Sequence, residues 1–265
     1  MLIICECLLI VELDVRNMRV IYILWLRQLK RYWRSKPRII GSLGQPLLFL
    51  VAFGFGFGSM YQKASGGDYL SFLAPGIIGM SIIFTAVFSG IDMVWDRQFG
   101  FLKETFVAPV SRSLIVLGRT FGGATVAMLQ GVVVMVLTFL LGFHPVSWWL
   151  ISPAVIVMFV VALLFTALGT AIASLLTDMH GFQLIVNFLI MPLFFFSGAL
   201  FPLNDLPVIL QWVVKINPLA YGIDAMRYFL TSSAHMSISF DLLVLSGVTV
   251  GLLGLATYLF SRIKM

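Results

Sequence analysis

The sequence predicts an all-α integral membrane protein: six transmembrane helices, an N-terminal amphipathic interfacial helix ahead of them, and a re-entrant outer helical pair before the last span. Three observations carry this. Of 265 residues, 60% are hydrophobic and 11% charged, against roughly 25% charged in an ordinary soluble domain. The mean hydropathy is +1.05. The charges gather in short segments between apolar runs long enough to supply the roughly 20 helical residues that cross a hydrocarbon core.

Residues 1–38 form a cytoplasmic N-terminal segment. Within it, "MRVIYILWLRQLKRYWRSK" at 18–36 puts Tyr22, Trp25, Leu26, Leu29 and Trp33 on one helical face and Arg27, Lys30, Arg31 and Arg34 on the other, the pattern of a helix lying in the interface. The preceding "MLIICECLLIVELDV" lacks a basic start and carries Glu6, Glu12 and Asp14. It fits neither a signal peptide nor a span, so Met18 is read as the natural start. A lone C-x-C, Cys5 and Cys7, is then incidental.

Residues 39–265 form the transmembrane domain, with spans expected at Ile39–Met60, Leu70–Val94, Leu114–Phe143, Trp148–Leu176, Phe182–Pro202 and Leu242–Phe260. Gly54 and Gly58, like Gly118 and Gly122, have the spacing that lets helices approach closely. Of the 17 lysines and arginines, only Lys63, Lys215 and Arg227 fall on one side of this arrangement. The positive-inside rule therefore puts both termini in the cytoplasm. The net charge of +6 is a collar facing membrane lipid and not a nucleic-acid surface, since no basic groove with interleaved stacking aromatics occurs.

Chemistry-bearing constellations are missing. "FGFGFG" at 53–58 has no lysine and follows no strand, and no G-x-x-x-x-G-K-[ST] occurs anywhere, so no nucleotide is held that way. His144, His180 and His235 are scattered. Asp92 and Arg119 lie near the cytoplasmic span ends, where they can reach headgroups or each other. The absence of a midplane carboxylate counts against ion-coupled transport.

The outer segment 203–231 is too apolar for a loop. Pro207 to Ile216 carries only Gln211 and Lys215 as polar members. Asn217 and Pro218 then supply a cap and a first-turn proline for a second helix, whose stripe Asn217, Tyr221, Asp224 and Tyr228 opposes Leu219, Ile223, Met226 and Leu230. A pair re-entering the outer leaflet satisfies this pattern, and periodicity alone fits equally well two helices lying flat as an outer rim. Between spans two and three, Phe101 to Val107 forms either a docking helix or a plain interfacial loop.

Two stretches carry a family resemblance. "SGALFPLNDLPVILQWVVKINPLAYGIDAMR" at 197–227 resembles the region around the fifth span of ABC-2 type permeases of ABC transporters, with its S-G-x-x-F-P, L-P and N-P-L-x-Y elements in order. "DRQFGFLKETFVAPVSRS" at 96–113 resembles the R-x-x-G-x-L-x-E-x-x-x-x-P-x-S-R pattern of the same family, and most closely its daunorubicin-resistance-type and nodulation-type exporters. The resemblance implies a non-catalytic half-transporter that pairs with a second copy or a homologous permease above two copies of an ABC ATPase subunit. It implies no cofactor bound by this chain, with ATP and magnesium on the partner. The site would be the plasma membrane of a prokaryote, and the cargo an amphipathic drug, lipid or glycan-type compound. It assigns ATPase coupling to Arg97, Gly100, Leu102, Glu104, Pro109 and Arg112 within the 95–113 loop. It assigns an outer gate to Phe201, Pro202, Pro207, Asn217, Pro218, Tyr221, Asp224 and Arg227. An ion-coupled secondary transporter or channel is the alternative, and a membrane enzyme a distant third.

Overall fold

Apolar runs satisfy their backbone internally as helices, and the observed elements follow those runs with shifted ends. The computed structural model describes the backbone of residues 2–65, 69–101, 107, 110–201, 207–233 and 236–263, and their side chains except for 2–16, 55, 57 and 59–65. Among the described residues every regular element is helical: α1 (Leu2–Arg34), α2 (Lys36–Ser65), α3 (Tyr69–Phe88), α4 (Ile91–Gln98), α5 (Arg112–Leu140), α6 (Ile151–Leu175, entered through a 3-10 turn at Trp148–Leu150), α7 (Met179–Phe195), α8 (Val208–Ile216), α9 (Pro218–Thr231) and α10 (Ile238–Ser261).

Among the described residues, five stretches are long and apolar enough to cross a membrane: Lys36–Gly54, Tyr69–Gln98, Arg112–Leu140, Trp148–Leu175 and Ile238–Ser261. The remaining expected span, the fifth in order (Phe182–Pro202), is shorter than its sequence suggests. α7 has 17 residues and stops at Phe195, covering about 25 Å at 1.5 Å per residue. Beyond it the chain turns back, with Gly198 at φ 74°. Ala199 and Leu200 are buried, and the Leu200 carbonyl accepts a hydrogen bond from the Tyr69 hydroxyl at 3.1 Å. Irregular backbone is thus enclosed by protein, the condition under which it is tolerated beside spanning helices.

The second span differs too. The expected Leu70–Val94 helix breaks at Ser89–Gly90 into α3 and α4. A Cβ at Gly90 would meet the Gly169 carbonyl, and one at Gly169 would meet Val87. Backbone touches backbone here, so the break answers a contact with α6 that local sequence does not encode.

α3, α5 and α6 pack on one another as the centre of the bundle, and α9 wedges among α3, α6 and α10. α2 packs mainly on α3 and leaves Ile40, Leu48 and Val51 exposed. α1 lies along α5. A Cβ at Gly118 would press on Leu24 and Ile21, and one at Gly122 on Gln28 and Trp25, whereas Gly58 has nothing within 4 Å. The faces of α1 therefore differ from the amphipathic expectation. Tyr22 and Trp33 are exposed while Tyr32 is buried, because the side carrying Ile21, Leu24, Trp25 and Gln28 packs on α5.

Candidate functional site

Polar side chains collect at two ends of the bundle. One end, here the basic end, holds α4, the start of α5 and the last turns of α6 and α10. Arg97, near the end of α4, donates from Nη1 to the Ser174 and Leu176 carbonyls at 3.5 and 3.4 Å, and Gln98 Nε2 donates to the Thr177 carbonyl at 3.1 Å. Arg112, first in α5, donates to the Ser261 and Ile263 carbonyls. Each arginine thus meets the free carbonyls that close another helix, where the macrodipole also favours a cation. The loop resembling the coupling segment hangs between these two anchors. Gly100, at φ 80°, follows α4 in the left-handed conformation that favours glycine, and a Cβ there would meet nothing within 4 Å. Leu102, Glu104 and Pro109 lie outside the described residues, as does Pro202 at the other end.

Beside these anchors sits an ion cluster. Arg119 on α5 pairs with Asp96 on α4 at 2.6 Å, both buried. Arg27 reaches Asp96 at 3.3 Å, Arg31 reaches Asp92 and Asp96 at 3.7 Å each, and Arg38 reaches Asp92 at 3.3 Å. The sequence placed Asp92 and Arg119 within reach of each other, and the partner the structure gives Arg119 is Asp96. Asp92 and Asp96 are one turn apart, so they share a face. Their spacing was the available signal, and the basic face of α1 turned toward it was the unforeseen part. α7 carries a cap that sequence reading passed over. Asp178 accepts from the Gly181 N–H at 2.6 Å, and this bond holds its carboxyl below the usual carboxylate range.

At the opposite end Asn217 joins two helices. Its Oδ1 accepts from the Leu219 N–H at 3.0 Å, capping α9, while its Nδ2 donates to the Leu193 and Phe196 carbonyls that close α7. Pro218 follows at the first helical position, and Pro207 is the N-cap of α8. The Tyr221 hydroxyl donates to the Lys215 carbonyl at 2.6 Å, closing the α8–α9 corner. Asp224 accepts from the Met236 N–H at 2.9 Å, and Arg227 donates to the Gly198 carbonyl at 2.8 Å over the Phe72 ring. Both Asp224 and Arg227 are buried.

Of the polar stripe read on α9, Tyr228 is exposed and the other three members are enclosed. Asn217, Tyr221 and Asp224 are as buried as Leu219, Ile223, Met226 and Leu230, because α9 is surrounded by protein. α8 differs: Val208, Ile209, Trp212, Val213 and Ile216 are exposed and Val214 alone in this helix is buried. Phe201 is partly buried against the core. Asp241, in the first turn of α10, is fully buried, with neither carboxylate oxygen bonded among the described residues. No group of three or more metal-ligating side chains occurs among the described residues.

The comparisons place this arrangement in a family. The family model "ABC-2 type transporter" matches residues 19–231. Nodulation protein J of Rhizobium leguminosarum bv. viciae is 32% identical over 193 residues, covering 71% of this chain and 73% of that protein. The putative transport permease ycf38 of Pyropia yezoensis is 30% identical over 219 residues, covering 78% of this chain and 72% of that protein. Nodulation protein J of Bradyrhizobium diazoefficiens is 27% identical over 201 residues. With the apolar helices, the polar ends and a family match over most of its length, this chain belongs to the ABC-2 type transporter family and is a membrane subunit of an ABC transporter.

Proposed function

We propose that this chain forms half of an export pathway for an amphipathic drug, lipid or glycan-type compound, driven by ATP hydrolysis in a separate ATPase subunit. Two copies of the chain, or one copy and a homologue, would enclose the pathway above two ATPase copies. In this reading α7 crosses the membrane as a sixth span. The basic end faces the cytoplasm of a prokaryotic cell with both termini, as its excess of lysine and arginine favours. α8 and α9 re-enter the outer leaflet, α8 meeting lipid or the partner half with its exposed apolar face. ATP and magnesium belong to the partner, and this chain contributes no covalent step.

The observation that carries the proposal is the anchoring of Arg97 and Arg112, which flank the 99–111 segment, on the ends of α6 and α10. A partner that pushes this loop pulls on the ends of α6 and α10 together, which is what a coupling segment must do. Ion-coupled transport fits less well. Among the described residues the buried carboxylates Asp92, Asp96, Asp224 and Asp241 lie toward the two ends of the bundle, leaving none to carry a cation through the middle.

The test is copurification from the native membrane followed by reconstitution. An ATPase chain with nucleotide-binding motifs should accompany the wild type, and Glu104→Arg should release it while leaving membrane levels unchanged. Transport in vesicles driven by an ion gradient, with no ATPase present, would overturn the proposal.

A further inference from the structure

Between α2 and α3, at the elbow where α1 hands over to α2, lies a cavity of about 340 Å³ that the transport reading leaves without an occupant. The volume lies within the range of small-molecule pockets, which are apolar slots with a few fixed polar groups. Its walls follow that pattern. Pro46, Phe84 and Phe88 supply apolar surface, and Tyr32, Arg38, Ser42, Gln45, Ser81 and Thr85 supply polar atoms.

Ser81 is the informative wall residue. Several buried hydroxyls in the bundle bond to the carbonyl one turn earlier, as Thr170 does to Thr166, Ser174 to Thr170 and Thr249 to Leu245, whereas Thr120 and Thr166, which do not line the cavity, share with Ser81 the lack of a partner among the described residues. Ser81 is 2% exposed, lines the cavity, and its Oγ has no hydrogen-bond partner among the described residues. A buried donor left unmet is costly, and a ligand atom in the slot would meet it. Tyr32, pushed up from its ordinary pKa by burial, keeps its phenol proton and donates it to Gln130 Oε1.

The rim adds charge. Arg38 meets Asp92 through Nη1, and the surrounding cluster sets Arg27, Arg31, Arg38 and Arg119 against Asp92 and Asp96 alone. Arg38 is the member of this cluster that lines the cavity, and the cluster it belongs to holds more cations than anions. We propose that this cavity binds an amphiphile with an anionic headgroup, its apolar portion between α2 and α3 and its head at Arg38. The same chemistry describes a resident anionic phospholipid and an acidic cargo molecule.

Native mass spectrometry of the purified chain in neutral detergent tests it, with phosphatidylglycerol and dodecyl phosphate as probes and phosphatidylcholine and dodecyl maltoside as neutral controls. Gly41 lines the cavity and a Cβ there would meet nothing within 4 Å, so Gly41→Phe fills the slot from an open position. Arg38→Gln removes the rim charge. Both variants should keep the wild-type unfolding temperature within a few degrees and hold the anionic probes about tenfold more weakly. Preference for phosphatidylglycerol identifies a resident lipid. Retention of dodecyl phosphate, with its release across proteoliposomes when ATP and the ATPase are supplied, identifies cargo. Equal retention of anionic and neutral probes, or anionic binding unchanged in both variants, overturns the site. Only the release arm rests on the export reading, so failed binding would leave that reading standing.

Discussion

Arg119 shows what one buried ion costs and contributes. Its Nη2 meets Asp96 at 2.6 Å, while its Nη1 is buried with no partner among the described residues. Desolvation offsets much of the attraction in such a pair, yet removing one member strands the other and costs on the order of 3–5 kcal/mol. Arg119→Met should therefore lower the unfolding temperature in detergent markedly. Arg119→Met with Asp96→Leu should recover most of the loss, since Arg27 and Arg31 reach Asp96 only from half-exposed positions. If the double variant is as unstable as the single, the arginine matters for packing and not for charge. The sequence showed that Asp92, Asp96 and Arg119 share one end of the spans. It did not show which carboxylate Arg119 takes, because that depends on where α4 leaves α3, and Gly169 on another helix decides the break.

At the scale of elements, the loop between α4 and α5 is held by its ends. Arg97 and Arg112 were read from the sequence as partner-facing members of a coupling motif, and the structure brings both to the carbonyl ends of α6 and α10. A basic residue in a short loop looks the same in sequence whether it faces a partner or its own chain. Gly100 changes its meaning as well. The resemblance assigns it to ATPase coupling, where close approach of a partner backbone could require glycine, whereas its φ of 80° with open space around a Cβ makes conformation a sufficient need. The two causes separate experimentally. Asparagine tolerates the left-handed region and valine does not. Gly100→Asn should retain ATPase association and transport, and Gly100→Val should lose both. Loss in Gly100→Asn as well, with normal membrane levels, would return the role to partner contact. α8 and α9 were legible as two helices through Pro207 and the Asn217–Pro218 pair. Their unequal burial was not, since amphipathic periodicity reports a polar face without saying whether protein or water meets it.

For the whole molecule, the apolar runs told most of the architecture: all-helical, with the spans in order and the polar segments at two ends. What they could not tell was where a run stops being a helix, as at Ser89 and after Phe195, because distant contacts set both stops. Orientation is the property that the charge distribution addresses directly. In a background with Cys5→Ser and Cys7→Ser, single cysteines at Ser233 and Ser111, both exposed, should divide cleanly. An impermeant thiol reagent applied to intact cells should label Ser233→Cys and spare Ser111→Cys until the membrane is opened. The reverse pattern would invert the molecule and detach the coupling reading from the loop.

The bare glycine contacts have a consequence for how such a bundle can change shape. Where Gly90 lies on Gly169, Gly169 on Val87 and Gly76 on Ala199, no side chains stand between the strands of backbone to cushion a sliding motion. Close-packed interiors yield little and tend to hold one arrangement or jump to another. α3, α6 and the turn after α7 thus behave as a single rigid plate, fastened at three rivets. Any alternation between two shapes must hinge at the plate's margins. Three breaks in helical geometry stand there: Ser35 between α1 and α2, Gly142 at φ 104° before α6, and Ser232 at φ 55° after α9. α1 is fastened to α5 by close glycine contacts at Gly118 and Gly122, whereas Gly41, Gly44 and Gly58 of α2 meet nothing within 4 Å, which leaves α2 as the margin with room to swing.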